Sequence, residues 1–465
     1  MNIVDEISMP GDKSLSHRAI MLAAISSGES IIYNISNSDD VLTTINCLRL
    51  CGIKIEIFND FIKIKGANLK NPLNKLNCNN SGTTARLLMG LLSGNKISAY
   101  LHGDRSLSNR PMGRVINPLK KMGGDIESDS NQFPVQINGV PLEAINHTIL
   151  IPSAQVKSCI IFAALKCDGV TRIRGCINTR DHTERMINYL SSGGIVLNNK
   201  EIEVHPSKID INSFNMSIPG DTSSASFFIA LACLLKDSKL IIKDVLINKY
   251  RIGFIKTLQR MGANITIEDI KIEFNETVGS IVVVGDKALT PCRISESEVS
   301  SMIDEIPILA LVCAYTDGVS VINGLSELRY KESDRYESII QILSQMGVKI
   351  FRNRDNGISI DGGFNLYNTT NLDCYGDHRL AMMISIAHIL SGGYVSYDDC
   401  INISSTLISL GKSLVSEISW TEHLVFLVMS EIIVFVSIKF SSKANATVKV
   451  LNIEPSSNTP FVILF

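Results

Sequence analysis

Residues 11–28 read GDKSLSHRAIMLAAISSG: a turn of Gly, Asp, Lys and Ser opens a long apolar run that ends at Gly. The pattern returns as NSGTTARLLMGLLSG from Asn80, PSAQVKSCIIFAALKCDG from Pro152 and GDTSSASFFIALACLLKDS from Gly220. It returns again as SEVSSMIDEIPILALVCAYTDG from Ser297 and GDHRLAMMISIAHILSGG from Gly376. The six starts are 69, 72, 68, 77 and 79 residues apart. Self-similarity at a near-constant period marks a fold built from one repeated supersecondary unit.

A second element lies behind the first. An amphipathic stretch ends in Gly and runs straight into an Ile/Val-rich segment in LRLCGIKIEI (Gly52), LKKMGGDIES (Gly123), LSSGGIVL (Gly193), LQRMGANITI (Gly262) and LSQMGVKIF (Gly347). Helical period, a C-terminal Gly and then period two predict a helix-to-strand connection. Each unit of roughly 70 residues therefore carries two helices and several strands, which predicts an α/β class (α+β by some schemes).

Composition narrows the function. The 465 residues make roughly two to four domains, and with 45% hydrophobic and 19% charged residues the chain can bury a large core. Lys+Arg is 44 and Asp+Glu 46, and the net charge of −2 excludes a general nucleic-acid binder, whose affinity rests on a basic surface. The 11 Cys are scattered with no CxxC pair, so neither a zinc framework nor a secreted disulfide scaffold is read, and a reducing compartment is expected. The opening MNIVDEISMPGDKS places Asp5 and Glu6 before any apolar run and does not read as a signal peptide.

The repeat turns carry the chemistry. A helix N-terminus offers unpaired N–H groups and partial positive charge, and Gly or Ser lets an anion approach them. Plain N-capping would use the same residues. Cations on these turns favour the anion reading: Lys13 and Arg18, Arg86, Lys157 and Arg379, with Arg110, Arg180, Lys331 and Arg335 on connecting segments. Neither GxxxxGK[ST] nor GxGxxG is present, so a nucleoside triphosphate or dinucleotide is not the first reading. Asp304 and Glu305 stand at a mostly apolar helix start and Glu332 lies between Lys331 and Arg335. Such carboxylates serve as general acid or base, or as structural ion-pair partners. His17, His182 and His378 sit in the same turns as acid/base or capping residues, none at metal-ligand spacing from another.

At these residues the chain resembles the 5-enolpyruvylshikimate-3-phosphate synthase (3-phosphoshikimate 1-carboxyvinyltransferase) family. PGDKSLSHRA, NSGTTARL, RPM at 110–112, SAQVKS, RDHTERM, KESDR and GDHRLAM follow the family order over about residues 5–405, and SAQVKS and RDHTERM look like its class II branch. The resemblance implies a two-lobed inside-out α/β barrel of six βαβαββ repeats, three per lobe. Residues 11–219 would form one lobe, residues 1–10 with 220–415 the other, and 416–465 an atypical tail. It implies transfer of the carboxyvinyl group of phosphoenolpyruvate to the 5-hydroxyl of shikimate 3-phosphate, through a tetrahedral intermediate, with no metal or cofactor. A cytoplasmic monomer with small anionic substrates, and no nucleic-acid or membrane partner, is expected.

The same resemblance assigns residues. Lys13, Ser14, Arg18, Ser153, Gln155, Arg180, Asp304 and Lys331 would hold shikimate 3-phosphate. Lys13, Gly82, Arg110, Gln155, Arg335 and Arg379 would hold phosphoenolpyruvate. Asp304 would take the 5-hydroxyl proton and Glu332 would protonate the vinyl methylene, with Lys13 also catalytic. Ala154 stands where many relatives carry Ser, and Lys157 or Arg180 is the expected replacement for the lost contact. Cations and helix ends gathered on one cleft repel, so lobes that stay apart when empty and close on anionic ligands are expected. Gly82 leaves room for glyphosate, so inhibition competitive with phosphoenolpyruvate is expected, and normal activity at a glyphosate concentration far above the phosphoenolpyruvate level would refute it.

Two alternatives remain at this point. The sister enolpyruvyl transferase acting on UDP-N-acetylglucosamine uses a Cys in the loop before Arg-Pro, where this chain reads HGDRSLSNRP. A binding or structural repeat protein with a decayed site is the other. The tail sharpens the second: residues 412–465 hold no Gly, although about 7% is usual, and they hold the single Trp, Trp420. Lys412 is the nearest candidate for a C-terminal phosphoenolpyruvate Lys, and a frameshift or readthrough beyond about residue 405 competes with an added interaction segment. The stretch LVFLVMSEIIVFVSI (424–438) is short for a membrane span and has Glu431 at its middle, so two alternating strands or an unstructured extension are expected.

Overall fold

The computed structural model describes residues 2–191, 193–363, 366–367 and 372–391, and the backbone of 422–429, 432–442 and 445–452. The fold is mixed α/β, with helices and, among the described residues, five sheets. The chain divides into two compact units, Gly11–Pro219 with Ile272–Glu276, and Met1–Pro10 with Gly220–Lys271 and Thr277–Phe465. The five-residue segment Ile272–Glu276 belongs to the first unit, which the sequence did not foretell.

The first unit holds α1 (Lys13–Ile25), α2 (Asp39–Leu50), α3 (Gly82–Gly94), α4 (Arg105–Ser108), α5 (Gly113–Lys121), α6 (Ala154–Ala164) and α7 (His182–Leu190). Three four-stranded sheets accompany them. Their strand orders are Asn215–Ser217, Glu29–Tyr33, Phe61–Lys65, Lys54–Ile57; then Leu76–Asn77, Ala99–His102, Val135–Asn138, Asp125–Ser128; then Asn146–Thr148, Thr171–Arg174, Glu201–Val204, Ile195–Leu197. In each, the first pair is parallel and the next two are antiparallel.

The second unit repeats the scheme with α8 (Thr222–Leu234), α9 (Gly253–Arg260), α10 (Glu296–Val299), α11 (Ile306–Tyr315), α12 (Arg335–Gln345) and α13 (His378–Ser391). Arg293–Ile294 pairs in parallel with Gly318–Ile322, and Ile358–Gly362 and Lys349–Arg352 follow antiparallel. Asn2–Ser8 pairs in parallel with Lys239–Leu246, which pairs antiparallel with Glu276–Val284. The strands Asn2–Ser8 and Asn215–Ser217 thus each complete a repeat whose other strands are distant in sequence.

Two helix types alternate for a physical reason. The first helix of a repeat is apolar all round and buried, as in α8, whose residues Thr222–Cys233 are all buried. The second is amphipathic, as in α5 and α9, and buries one face only. It ends at a glycine in the left-handed region, with φ of 88° at Gly52, 87° at Gly123, 85° at Gly193, 97° at Gly262 and 86° at Gly347. That conformation turns the chain from helix to strand and is strained for any residue with a Cβ.

The tail adds Glu422–Met429, Ile432–Ser442 and Asn445–Asn452, each antiparallel to the next. The last lies parallel to Asn2–Ser8, with Asn2 opposite Thr447 and Ile3 opposite Val448, giving a seven-stranded sheet. Lys412, Trp420 and the pattern break near residue 405 lie outside the described residues. Among the described residues, ten cysteines are free and buried, and no helix is long and apolar enough to cross a membrane.

Candidate active site

The residues singled out in the sequence form a constellation in each unit. In the first unit, Asp12 caps α1 by accepting from Leu15 N–H at 2.8 Å, and Lys13 and Ser14 open the helix half-buried. Lys13 Nζ lies 3.1 Å from Asp40 at the start of α2. Arg18, one turn further and buried, donates to Thr183 Oγ1 (2.7 Å), Ser158 Oγ (2.8 Å) and the Ser14 carbonyl (2.8 Å), so it ties α1 to α6 and α7.

Gly82 is the first residue of α3, capped by Ser81. A Cβ there would lie 2.9 Å from Arg86 Nη1 and 3.2 Å from Arg110 Nη1, so only glycine leaves both guanidinium groups in place. Arg110, between α4 and α5, donates to Asn80 Oδ1 (2.6 Å) and Ser106 Oγ (3.3 Å). Arg86 donates to Gln155 Oε1 at 2.7 Å, and Gln155 Nε2 donates to Thr83 Oγ1 at 2.9 Å. Ser153 caps α6 by accepting from Val156 N–H. Arg180 is half-buried in the turn before α7.

In the second unit, Arg335 is the first residue of α12 and is 1% exposed. It donates to Asp377 at 2.6 and 3.2 Å, to Glu332 at 2.6 Å and to Asp304 at 3.4 Å. Burial works against its charge, but Asp377, Glu332 and Asp304 more than offset this and hold the guanidinium protonated beyond its ordinary range. Lys331 Nζ donates to Asp304 at 3.2 Å, and the Arg379 N–H donates to Asp377 Oδ1 at 2.9 Å. Arg379 is buried, and its Nη1 makes no hydrogen bond among the described residues. The arrangement places two partly exposed carboxylates, which can accept protons, among cations, which can hold an anion.

The family model of EPSP synthase (3-phosphoshikimate 1-carboxyvinyltransferase) matches residues 1–409. The 3-phosphoshikimate 1-carboxyvinyltransferase of Caldicellulosiruptor saccharolyticus is 40% identical over 391 residues, 82% of this chain and 89% of that one. That of Thermodesulfovibrio yellowstonii is 40% identical over 407 residues, 86% of this chain and 94% of that one. The chain belongs to the EPSP synthase family. A solved EPSP synthase from Acinetobacter baumannii superposes with a TM-score of 0.71 at 35% identity, covering 82% of this chain and 88% of that one. By family the chain is an enzyme, a carboxyvinyl transferase, and the UDP-N-acetylglucosamine alternative is not favoured. The family match stops at residue 409, before Lys412.

Several expectations for this EPSP synthase family member are corrected by its geometry. Lys157 does not replace the Ser missing at Ala154: it is fully buried, 2.7 Å from the equally buried Glu184. The apolar setting foreseen for Asp304 and Glu305 belongs to Glu305, which is buried, while Asp304 faces Lys331 and Arg335. His17 is neither acid/base nor cap. Burial lowers its pKa to about 3, with Asp40 opposing and Lys13 and Arg18 adding to the fall, and its Nδ1 meets Thr44 Oγ1 at 2.7 Å. His182 packs against Glu276 at 2.7 Å, and His378 opens α13. Asp181, His182 and Glu276 bring ligand atoms within 4.8 Å of one another. Arg185 Nε supplies the counter-charge there, 2.8 Å from Asp181 and 3.9 Å from Glu276. Asp377, the carboxylate that anchors Arg335, escaped the sequence reading. Its place inside GDHR was the available signal.

Proposed function

We propose that this chain transfers the carboxyvinyl group of phosphoenolpyruvate to the 5-hydroxyl of shikimate 3-phosphate and releases phosphate. The observation that carries the reading is the network of Asp304, Lys331, Glu332, Arg335 and Asp377 beside buried Arg379. Proton-accepting carboxylates and anion-holding cations on one network are what an addition–elimination between two anions needs. Asp304 accepts the 5-hydroxyl proton as the oxygen attacks, and Glu332 gives a proton to the vinyl methylene. Loss of phosphate from the tetrahedral intermediate, with a proton from the new methyl group, restores the vinyl group. Lys13, Ser14, Arg18, Ser153, Gln155, Arg180, Asp304 and Lys331 hold shikimate 3-phosphate. Lys13, Gly82, Arg110, Gln155, Arg335 and Arg379 hold phosphoenolpyruvate. Arg335 reaches an incoming anion only by exchanging a bond to one of its carboxylates, which couples binding to the state of Glu332. Electrostatics and positioning supply most of the acceleration, and each proton transfer about 10²–10⁴-fold.

The enzyme acts as a monomer in the cytoplasm, with the two-lobed inside-out α/β barrel fold of six repeats, three per lobe. A coupled phosphate-release assay with both substrates tests the reading. Phosphate release that needs shikimate 3-phosphate supports it. Release with UDP-N-acetylglucosamine instead, or no release by a folded chain, overturns it.

A further inference from the structure

We propose that the buried Lys157–Glu184 pair is a positioning device that fixes Ser153, Gln155 and Arg180 as one rigid group. The inference rests on the reading of those three as shikimate 3-phosphate contacts. Lys157 and Glu184 are both 0% exposed and their charged atoms are 2.7 Å apart. Lys157 Nζ also donates to the Thr179 carbonyl at 3.2 Å. One ammonium therefore grips the backbone just before Arg180 and a side chain in the first turn of α7 just after it. Thr179 is held from its other side too, donating to the Cys176 carbonyl through N–H (3.1 Å) and Oγ1 (2.7 Å).

Lys157 is anchored in turn. Its own N–H donates to the Ser153 carbonyl at 3.0 Å, in the first turn of α6 that carries Ser153 and Gln155. Side by side with this pair, Ser158 and Thr183 bond each other at 2.7 Å and both receive Arg18. The α6–α7 seam thus holds consecutive residues, 157–158 against 183–184, each set locking one cationic element of the site. Burying two charges is a poor source of stability, because desolvation cancels most of their attraction and apolar residues fill the same space as well. What an apolar pair cannot do is donate to the Thr179 carbonyl while its charge is held by a carboxylate 2.7 Å away. That directional function is the role assigned to Lys157.

The test compares the full-length wild type with Lys157→Met/Glu184→Leu, which removes both charges together. Arg180→Ala serves as the control for the underlying reading. Expected for the double variant is a KM for shikimate 3-phosphate raised at least tenfold. Its kcat should stay within about threefold, its KM for phosphoenolpyruvate, which only Gln155 of the three also contacts, should rise by less than that for shikimate 3-phosphate, and direct titration of shikimate 3-phosphate should weaken in parallel. If Arg180→Ala weakens shikimate 3-phosphate binding and the folded double variant binds it as the wild type does, the positioning role is refuted. If Arg180→Ala binds normally, the reading of the site itself fails and the inference falls with it. Equal loss in both KM values marks a merely structural pair and also refutes the role. Should the double variant not fold, Glu184→Gln, which keeps size and an acceptor, is read by the same criteria.

Discussion

In the unit of Gly11–Pro219, buried Arg110 donates to an amide and a hydroxyl, whereas in the other unit buried Arg335 is wrapped by the carboxylates of Asp304, Glu332 and Asp377. Both residues sit at the opening of the second helix of a repeat, so repetition supplied the same place twice and chemistry diverged there. A guanidinium held by neutral oxygens keeps its attraction for an anion, since neutral partners orient it without cancelling its charge. A guanidinium shared among carboxylates sets their geometry instead. Under the proposed function, this difference places anion capture chiefly in the first constellation and proton transfer in the second.

The largest effect that can break this division is on turnover. Asp304→Asn and Glu332→Gln should each lower kcat by about 10²–10⁴-fold while shikimate 3-phosphate binding changes little. Steady-state kinetics with both substrates decide this, and a change confined to KM would make these carboxylates binding groups and not proton-transfer groups. Next, Arg335→Met leaves three carboxylates without their shared cation. Loss of such a buried partner costs about 3–5 kcal/mol, visible as a lower denaturation midpoint. An unchanged midpoint would show that the network is not what organises that unit's site. Arg110→Met should act on binding, raising the KM for phosphoenolpyruvate roughly 10–100-fold with a smaller change in kcat, as expected for a charge-assisted hydrogen bond of about 1.5–3 kcal/mol.

The smallest effect at neutral pH concerns His17, where titration in the first unit governs stability and not catalysis. Its folded pKa of about 3 lies below the unfolded value of 6.5, so between these values the unfolded chain binds the extra proton. Stability is therefore full above about pH 6.5 and falls as pH drops toward 3, by at most about 1.4 kcal/mol per pH unit. His17→Gln should flatten the dependence of the melting midpoint on pH between 4 and 6.5. An unchanged slope would mean that His17 is not the group that titrates.

Much of the fold was legible because its signals are local. A Gly after an amphipathic stretch, an apolar run behind a Ser or Asp cap, and alternating Ile/Val each dictate backbone conformation within a few residues, and the repeat multiplies the signal. The site was legible as residue types at repeat turns, and Lys13, Arg110, Asp304, Glu332, Arg335 and Arg379 all lie at or beside helix openings. What stayed hidden was pairing. Lys157 looked like a contact and is a buried strut. His17 looked like an acid/base or capping group and is a buried residue whose pKa falls to about 3. Asp377 went unread inside GDHR and is the anchor of Arg335.

By itself, then, the sequence determined the repeated unit, the α/β class, the helix ends and the family to which the chain belongs. The tertiary structure alone decided which strand closes which repeat, as Asn2–Ser8 beside Lys239–Leu246 shows, and which polar groups meet. Arg18 finds Thr183 across 165 residues and Arg335 finds Asp377 across 42. Backbone preferences are set by each residue and its neighbours. The partners of a buried charge are set by desolvation, which forces it to be satisfied by whatever the folded chain brings within about 3 Å.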